Sequence, residues 1–336
     1  MGLAVAAAGC ADDVPAVRGA VPLPDADGDP VTILSAGKGG TGKTTVACAI
    51  AAGLAAEGRR VLLVSTDPAN SVADCLDLPL GPEPTAVGPN LEALELDGDA
   101  AFRRFRAIFE EDVRRLLDRL FGGLDVAYDR EVMERLLDLA PPGLDEVMAV
   151  LTVLERIEAG GFDVLVLDTA PTGHMLHLLA MPDLLGEWTR RIFDLLLEHE
   201  QLVDLPRIEQ ELVSISRGLR DLRTRLRDAE RTALVPVAVA TPMALEETAD
   251  LVEAVRRLGV AMPAAIVNQL VPADEPGPLA AAVRRRESAA IEGWWSRLGL
   301  DRVEIDRGME PRGLERLTTL GARLVGGPAV ARRVAA

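Results

Sequence analysis

The sequence predicts an open α/β fold, a doubly wound and mostly parallel sheet, with an inserted α-helical subdomain. Three observations carry this: unbroken apolar runs, a helical stretch between the first two of them, and long amphipathic segments that break the alternation. The runs are Val31–Ala36 (VTILSA), Val61–Thr66 (VLLVST), Asp163–Asp168 (DVLVLD), Leu234–Ala240 (LVPVAVA) and Ala264–Asn268 (AAIVN). Runs rich in Val, Ile and Leu at this length suit strands buried on both faces, as a parallel sheet requires. Thr44–Glu57 has helical composition and stops at Gly58, a residue suited to a helix C-cap. Strand, helix and strand in that order form a βαβ unit, and the continuing alternation extends it to a doubly wound sheet.

The amphipathic segments define the insertion. Ala101–Leu120 places Phe102, Phe105, Phe109, Val113, Leu116, Leu117 and Leu120 at helical spacing. Ile208, Leu212, Ile215, Leu219, Leu222, Leu226 and Ala229 step by four and three, about three heptads of an a/d seam. With Leu184–Leu197 they predict a helical subdomain from about residues 100–140 and 181–230, inside one domain of residues 31–336. Its apolar faces either pack on one another or form a groove for a partner. Residues 1–30 are expected to be a flexible leader, since the stretch up to Pro30 (VPLPDADGDP) is rich in Pro, Asp and Gly.

Composition narrows the partners. The 336 residues carry 36 Lys+Arg against 53 Asp+Glu, a net charge of −17, which argues against nucleic acid or an anionic membrane as a general ligand. Three scattered cysteines, Cys10, Cys48 and Cys75, form no disulfide framework and suggest a reducing compartment. No apolar run reaches the roughly 18 residues of a membrane span. A cytoplasmic location, at most peripheral to a membrane, is expected. Of the basic residues 34 are Arg and two are Lys, and both lysines, Lys38 and Lys43, fall in one short segment.

That segment is Gly37-Lys38-Gly39-Gly40-Thr41-Gly42-Lys43-Thr44, which fits G-x-x-x-x-G-K-[ST] between a predicted strand and a predicted helix. Glycines let backbone N–H groups converge on phosphate oxygens, and the helix N-terminus adds partial positive charge. Lys43 is expected to reach the β/γ-phosphates and Thr44 to ligate Mg²⁺, with Thr45 completing the nucleotide-binding stretch. A compact ammonium fits a phosphate cradle better than a planar guanidinium. Two acids follow strand ends: Asp67 in Ser65–Ser71 (STDPANS) and Asp168 in Asp168–His174 (DTAPTGH). Ligands of open α/β sheets sit at the carboxyl ends of strands, so both carboxylates should face the phosphates, the alternative being that either caps the next helix.

The loop GKGGTGKTT, with its extra Lys38, resembles the deviant P-loop of the nitrogenase iron protein, the MinD and ParA groups and the ArsA-like ATPases. STDPANS and DTAPTGH narrow the resemblance to the ArsA-like branch, which holds arsenite-pump ATPases and ATPases that target tail-anchored membrane proteins. PPGLDEVMAVLTVLE (Pro141–Glu155), RDAERTALVPVAVATPMALEET (Arg227–Thr248), VNQL (Val267–Leu270) and EPRGLERL (Glu310–Leu317) extend it from about residue 31 to the end. The resemblance implies a P-loop ATPase that uses ATP and Mg²⁺ and works as a nucleotide-controlled dimer with an identical or a related subunit. It implies that Lys38 crosses to the partner's phosphates and that Asp67 orients or deprotonates the attacking water. It further implies that Asp168 holds Mg²⁺ through water and that Asn268, helped by the segment around Pro311, reads the adenine. DTAPTGH would be the switch that couples phosphate loss to the helical subdomain.

Two departures bear on the role. No cysteine follows DTAPTGH, so one subunit lacks an evident set of three thiolate ligands for a metalloid. Pro276–Ala281 (PGPLAA) stands where many tail-anchor-targeting ATPases carry a CxxC clasp, so no zinc site is expected. The output is expected to be a helical surface for a hydrophobic client helix or a membrane-protein partner. The alternative is a ParA/MinD-like switch that hydrolyses ATP weakly or not at all while positioning itself on membrane or DNA.

Overall fold

The structure, a computed structural model, describes residues 14–24, 30–66, 71–96, 161–168 and 206–325. By its internal contacts the chain divides into two units, residues 1–96, 160–176 and 226–336, and residues 97–159 and 177–225.

The first unit is built on a mixed, mostly parallel sheet. Its strands are β1 (Val17–Arg18), β2 (Val31–Ala36), β3 (Val61–Ser65), β4 (Thr85–Gly88), β5 (Leu91–Glu95), β6 (Val164–Asp168), β7 (Thr232–Val239), β8 (Ala264–Leu270) and β9 (Asp301–Asp306). Their spatial order is β1-β9-β8-β7-β2-β6-β3-β5-β4, with antiparallel pairing only at the two ends, β1 with β9 and β4 with β5. The five expected strands are β2, β3, β6, β7 and β8, each shifted by no more than a few residues. Every residue of β2, β3 and β6 is buried, which is why they read as unbroken apolar runs. Chain order reverses across β2, with β6 on one side and β7 on the other, so its carboxyl end is a topological switch point. Pro236 is tolerated in β7 because the strand changes partner there, pairing with β2 up to Pro236 and with β8 from Val237.

Helix α1 (Lys43–Ala56) follows β2 and packs on β2, β3 and β6. The short α2 (Ser71–Leu76) follows β3. Helix α3 (Pro206–Arg227) covers most of the predicted heptad seam, but Ala229 falls beyond its end. Asp228 stops it: its carboxylate accepts the Glu230 N–H at 3.0 Å and its carbonyl accepts the Thr232 N–H at 2.8 Å, closing a turn instead of another helical turn. The other expected insertion helices, Ala101–Leu120 and Leu184–Leu197, lie outside the described residues. Helix α4 (Pro242–Leu258) opens on Thr241, whose hydroxyl accepts the Ala244 N–H, and closes on Gly259 at φ 79°. Helices α5 (Pro278–Leu298) and α6 (Leu314–Val325) complete the layers, α6 lying along α1.

Within the stretch expected as a flexible leader, the described residues 14–24 contribute to the sheet. Residues 14–24 bury Val14 and Val21 and place β1 against β9, where Arg18 pairs with Glu304 at 2.9 Å and Asp306 at 2.7 Å. None of the helices among the described residues is long and apolar enough to cross a membrane.

Candidate functional site

The loop Gly37–Gly42 joins β2 to α1 at the switch point, and its shape follows from its glycines. Gly40 and Gly42 have φ of 80° and 88°, conformations that a side chain disfavours. A Cβ on Gly37 would strike the Val237 carbonyl oxygen of β7, so only glycine lets the loop leave the sheet at this point. The Lys38 carbonyl organises the turn: it accepts the Thr41 hydroxyl at 2.9 Å and the Lys43 ammonium at 3.2 Å. Lys43 is only 7 % exposed, a cation stored at the loop it belongs to. The loop lines a cavity of about 590 Å³ together with Thr45, Ser71, Asn268 and residues 307–312.

The acid end of the site is equally built. Asp168, fully buried at the end of β6, accepts the Thr44 hydroxyl at 2.8 Å and the Ser35 hydroxyl at 3.2 Å. Parallel pairing of β2 with β6 sets Ser35 opposite Asp168, so sheet register delivers the carboxylate to the loop. A hydroxyl and a carboxylate side by side are hard oxygen donors suited to Mg²⁺ and poorly suited to soft metals. Among the described residues no group of three or more His, Cys, Asp or Glu converges as a metal cluster. A Mg²⁺ bound here would take its remaining ligands from phosphate and water, as that ion usually does.

Asn268 reaches the same loop from β8, its amide donating to the Thr41 carbonyl at 2.9 Å. Pro311 shares the cavity, so the two elements expected around adenine meet in one place. The structure thus gathers Gly37, Lys38, Gly39, Gly40, Thr41, Gly42, Lys43, Thr44, Thr45, Asp168 and Asn268 in the first unit. Asp67 and residues 169–174 lie outside the described residues. Lys38 points to α4 of its own chain, with its ammonium 2.7 Å from Glu247 Oε1.

Three neighbours were not visible as functional in the sequence: Ser35, Glu247 and Gln269, whose side-chain amide donates to the Gly40 carbonyl at 3.2 Å. Ser35 sits inside a strand run, and Glu247 is one of many helical acids. Gln269 adjoins Asn268 in the VNQL stretch, which was the available signal. The Cys48 thiol is wholly buried in α1 and donates to Cys75. That hydrogen bond and burial push it well above the usual thiol range, while the same bond holds Cys75 lower.

A glycine-rich loop at a sheet switch point, with a stored lysine and a hydroxyl–carboxylate pair, defines a P-loop nucleoside-triphosphate protein. Comparison with known proteins agrees: the family model for anion-transporting ATPases, ArsA_ATPase, matches residues 31–326. The chain is 31 % identical over 281 residues to ATPase GET3C of Arabidopsis thaliana, covering 77 % of this chain and 72 % of that protein. It is 34 % identical over 269 residues to the arsenical pump-driving ATPase of Acidiphilium multivorum, covering 78 % of this chain and 43 % of that protein. To ATPase ARSA1 of Chlamydomonas reinhardtii it is 31 % identical over 290 residues, 77 % of this chain and 37 % of the relative. The chain thus spans less than half of the last two relatives. It belongs to the ArsA/GET3 family of anion-transporting ATPases.

Proposed function

We propose that the chain is a Mg²⁺-dependent ATPase whose nucleotide-controlled dimer drives a helical surface for a hydrophobic client or a membrane-protein partner. The observation that carries this is the contact of Thr44 with the buried Asp168 beside the stored Lys43, with Lys43 and Thr44 both lining the cavity. In this reading Lys43 leaves the Lys38 carbonyl for the β/γ-phosphates, and the loop N–H groups bind the same oxygens. Thr44 would hold Mg²⁺ directly and Asp168 through water, which supplies charge neutralisation to the phosphates. Asp67 orients or deprotonates the attacking water. Lys38 exchanges Glu247 for the phosphates of the opposite subunit, a contact of the arginine-finger kind. Asn268 reads the adenine beside Pro311.

The helical subdomain of about residues 100–140 and 181–230 is the output, moved through residues 168–174. Two relatives carry pump or GET3 names, and the described cysteines weigh on one of those roles. Cys48 and Cys75 are both buried, which disfavours a thiolate metalloid site built from them. Free buried thiols also fit a cytoplasmic setting.

The Asp67→Asn chain tests the hydrolytic reading. It should bind ATP with wild-type affinity while phosphate release falls by about 10²-fold or more, the range lost with a catalytic base. Wild-type turnover in that variant would remove Asp67 from the chemistry, and absence of turnover in the unmodified chain would leave a binding switch in place of an enzyme.

A further inference from the structure

Gln269 adopts a backbone conformation that its residue type disfavours, and nothing about packing explains it. Its φ is +62°; the other non-glycine residues with positive φ among the described residues are Asp77 and Asn90, types that tolerate the left-handed region. Gln269 is exposed, so no core contact holds it there. The cause lies in the sheet. From Val267 to Leu270 strand β8 advances three residues while β9 advances two, from Glu304 to Asp306, so Asn268 and Gln269 form a bulge. Bulges re-aim side chains and concentrate beside functional sites. Here the bulge makes three hydrogen bonds around the phosphate loop.

The Gln269 N–H donates to Asn268 Oδ1 at 2.8 Å, Asn268 Nδ2 donates to the Thr41 carbonyl at 2.9 Å, and Gln269 Nε2 donates to the Gly40 carbonyl at 3.2 Å. The first two fix which end of the Asn268 amide is oxygen. A backbone N–H only donates and a backbone carbonyl only accepts, so a flipped amide would face donor to donor and acceptor to acceptor. The fit is also close: a Cβ on Gly42 would collide with Asn268 Nδ2. What remains of the amide is one N–H and one oxygen lone pair in a fixed order. Along its N1 edge a 6-aminopurine offers an N–H at position 6 beside a ring-nitrogen acceptor, whereas a 6-oxopurine offers an acceptor at position 6 beside a ring N–H, the reverse order. A freely rotating amide would suit either base; a locked one distinguishes them.

We propose that Gln269 is a positioning residue of the nucleotide site. Its left-handed backbone keeps the bulge whose Gln269 N–H locks the Asn268 amide in the orientation that selects 6-aminopurine over 6-oxopurine nucleotides, while its side chain ties Gly40 of the phosphate loop to β8. This rests on the nucleotide-binding reading above and adds the basis of base selectivity to it.

The test is equilibrium binding of Mg-ATP and Mg-GTP to the full chain and its variants, with thermal unfolding to verify folding. Gln269→Gly keeps the left-handed backbone and its N–H but removes the clamp, so affinity for both nucleotides should fall severalfold with their ratio unchanged. Gln269→Val disfavours the left-handed backbone, so the preference for ATP over GTP should fall by about tenfold, the scale of one bidentate base contact. If the Val variant does not fold, Gln269→Ala carries the same comparison with a smaller shift in the ratio. A wild-type ratio in a folded Val or Ala variant would overturn the lock. So would a lost ratio in the Gly variant, and unchanged Gly-variant affinity would overturn the clamp. If the unmodified chain binds neither nucleotide, the nucleotide-site reading itself fails, an outcome visible before any variant is compared.

Discussion

Lys38 and Lys43 stand five residues apart in different surroundings, which fit the different roles proposed for them. Lys43 is nearly buried against a loop carbonyl, whereas Lys38 pairs with Glu247 with the two side chains 39 % and 40 % exposed. A pair that accessible contributes no more than about 1 kcal/mol, so in the proposed dimer a phosphate presented by the second subunit would displace Glu247 readily. Replacing Lys38 by alanine should therefore leave ATP affinity within a few-fold while lowering kcat by about 10³-fold, the low end for a finger-type contact. Glu247→Gln should move kcat little, because it removes only the resting partner. Steady-state hydrolysis beside ATP binding separates these outcomes, and a Lys38→Ala chain with undiminished kcat would show that Lys38 works only within its own subunit. At this scale the sequence was informative wherever chemistry demands a residue type at fixed spacing, as for Gly37 to Thr44 and Asp168. For Gln269 it offered only the neighbouring VNQL stretch, because the role proposed for it comes from a backbone angle and a bulge that no residue type announces.

The elements that hold the phosphate loop depend on how closely α6 approaches α1. Helix α1 is Ala-rich and buried from Val46 to Ala55 because the sheet covers one side and α6 the other. The crossing point is two glycines: a Cβ on Gly53 would lie 2.6 Å from the Gly321 carbonyl carbon, and one on Gly321 would enter the Ala49 carbonyl oxygen. Backbone atoms cannot rotate away, so Gly321→Ala should cost about 2–3 kcal/mol, the upper part of the overpacking range. The thermal midpoint should drop by several degrees, and ATP affinity with it as α1 shifts under the loop. An unchanged midpoint would mean that α6 withdraws at no cost. Strands buried on both faces were legible because every position had to be apolar. Strands β5 and β9 were not: LEALE and DRVEID interrupt their apolar residues with charged ones, several of them at partly accessible positions. The heptad spacing runs on to Ala229, whereas the local hydrogen bonds of Asp228 end α3 at Arg227.

For the whole molecule the dominant fact is a net charge of −17. It opposes the dimer that the proposed mechanism needs, because two copies repel at long range while the contacts that join them act at short range. In the proposed dimer the favourable charge contacts, Lys38 on phosphate above all, would be local and shielded from bulk solvent once formed. The repulsion is spread over exposed carboxylates and is screened as the Debye length shortens from about 10 Å at 0.1 M salt to about 3 Å at 1 M. Salt therefore acts mainly on the repulsive part. Dimerisation of the Asp67→Asn chain with Mg-ATP should tighten as salt rises from about 0.05 to 0.5 M, where ordinary charge-driven association weakens. Sedimentation velocity across that range measures it. Weakening with salt would mean that attractive ion pairs dominate the interface, and a monomer at every salt concentration with ATP bound would remove the dimer from the mechanism.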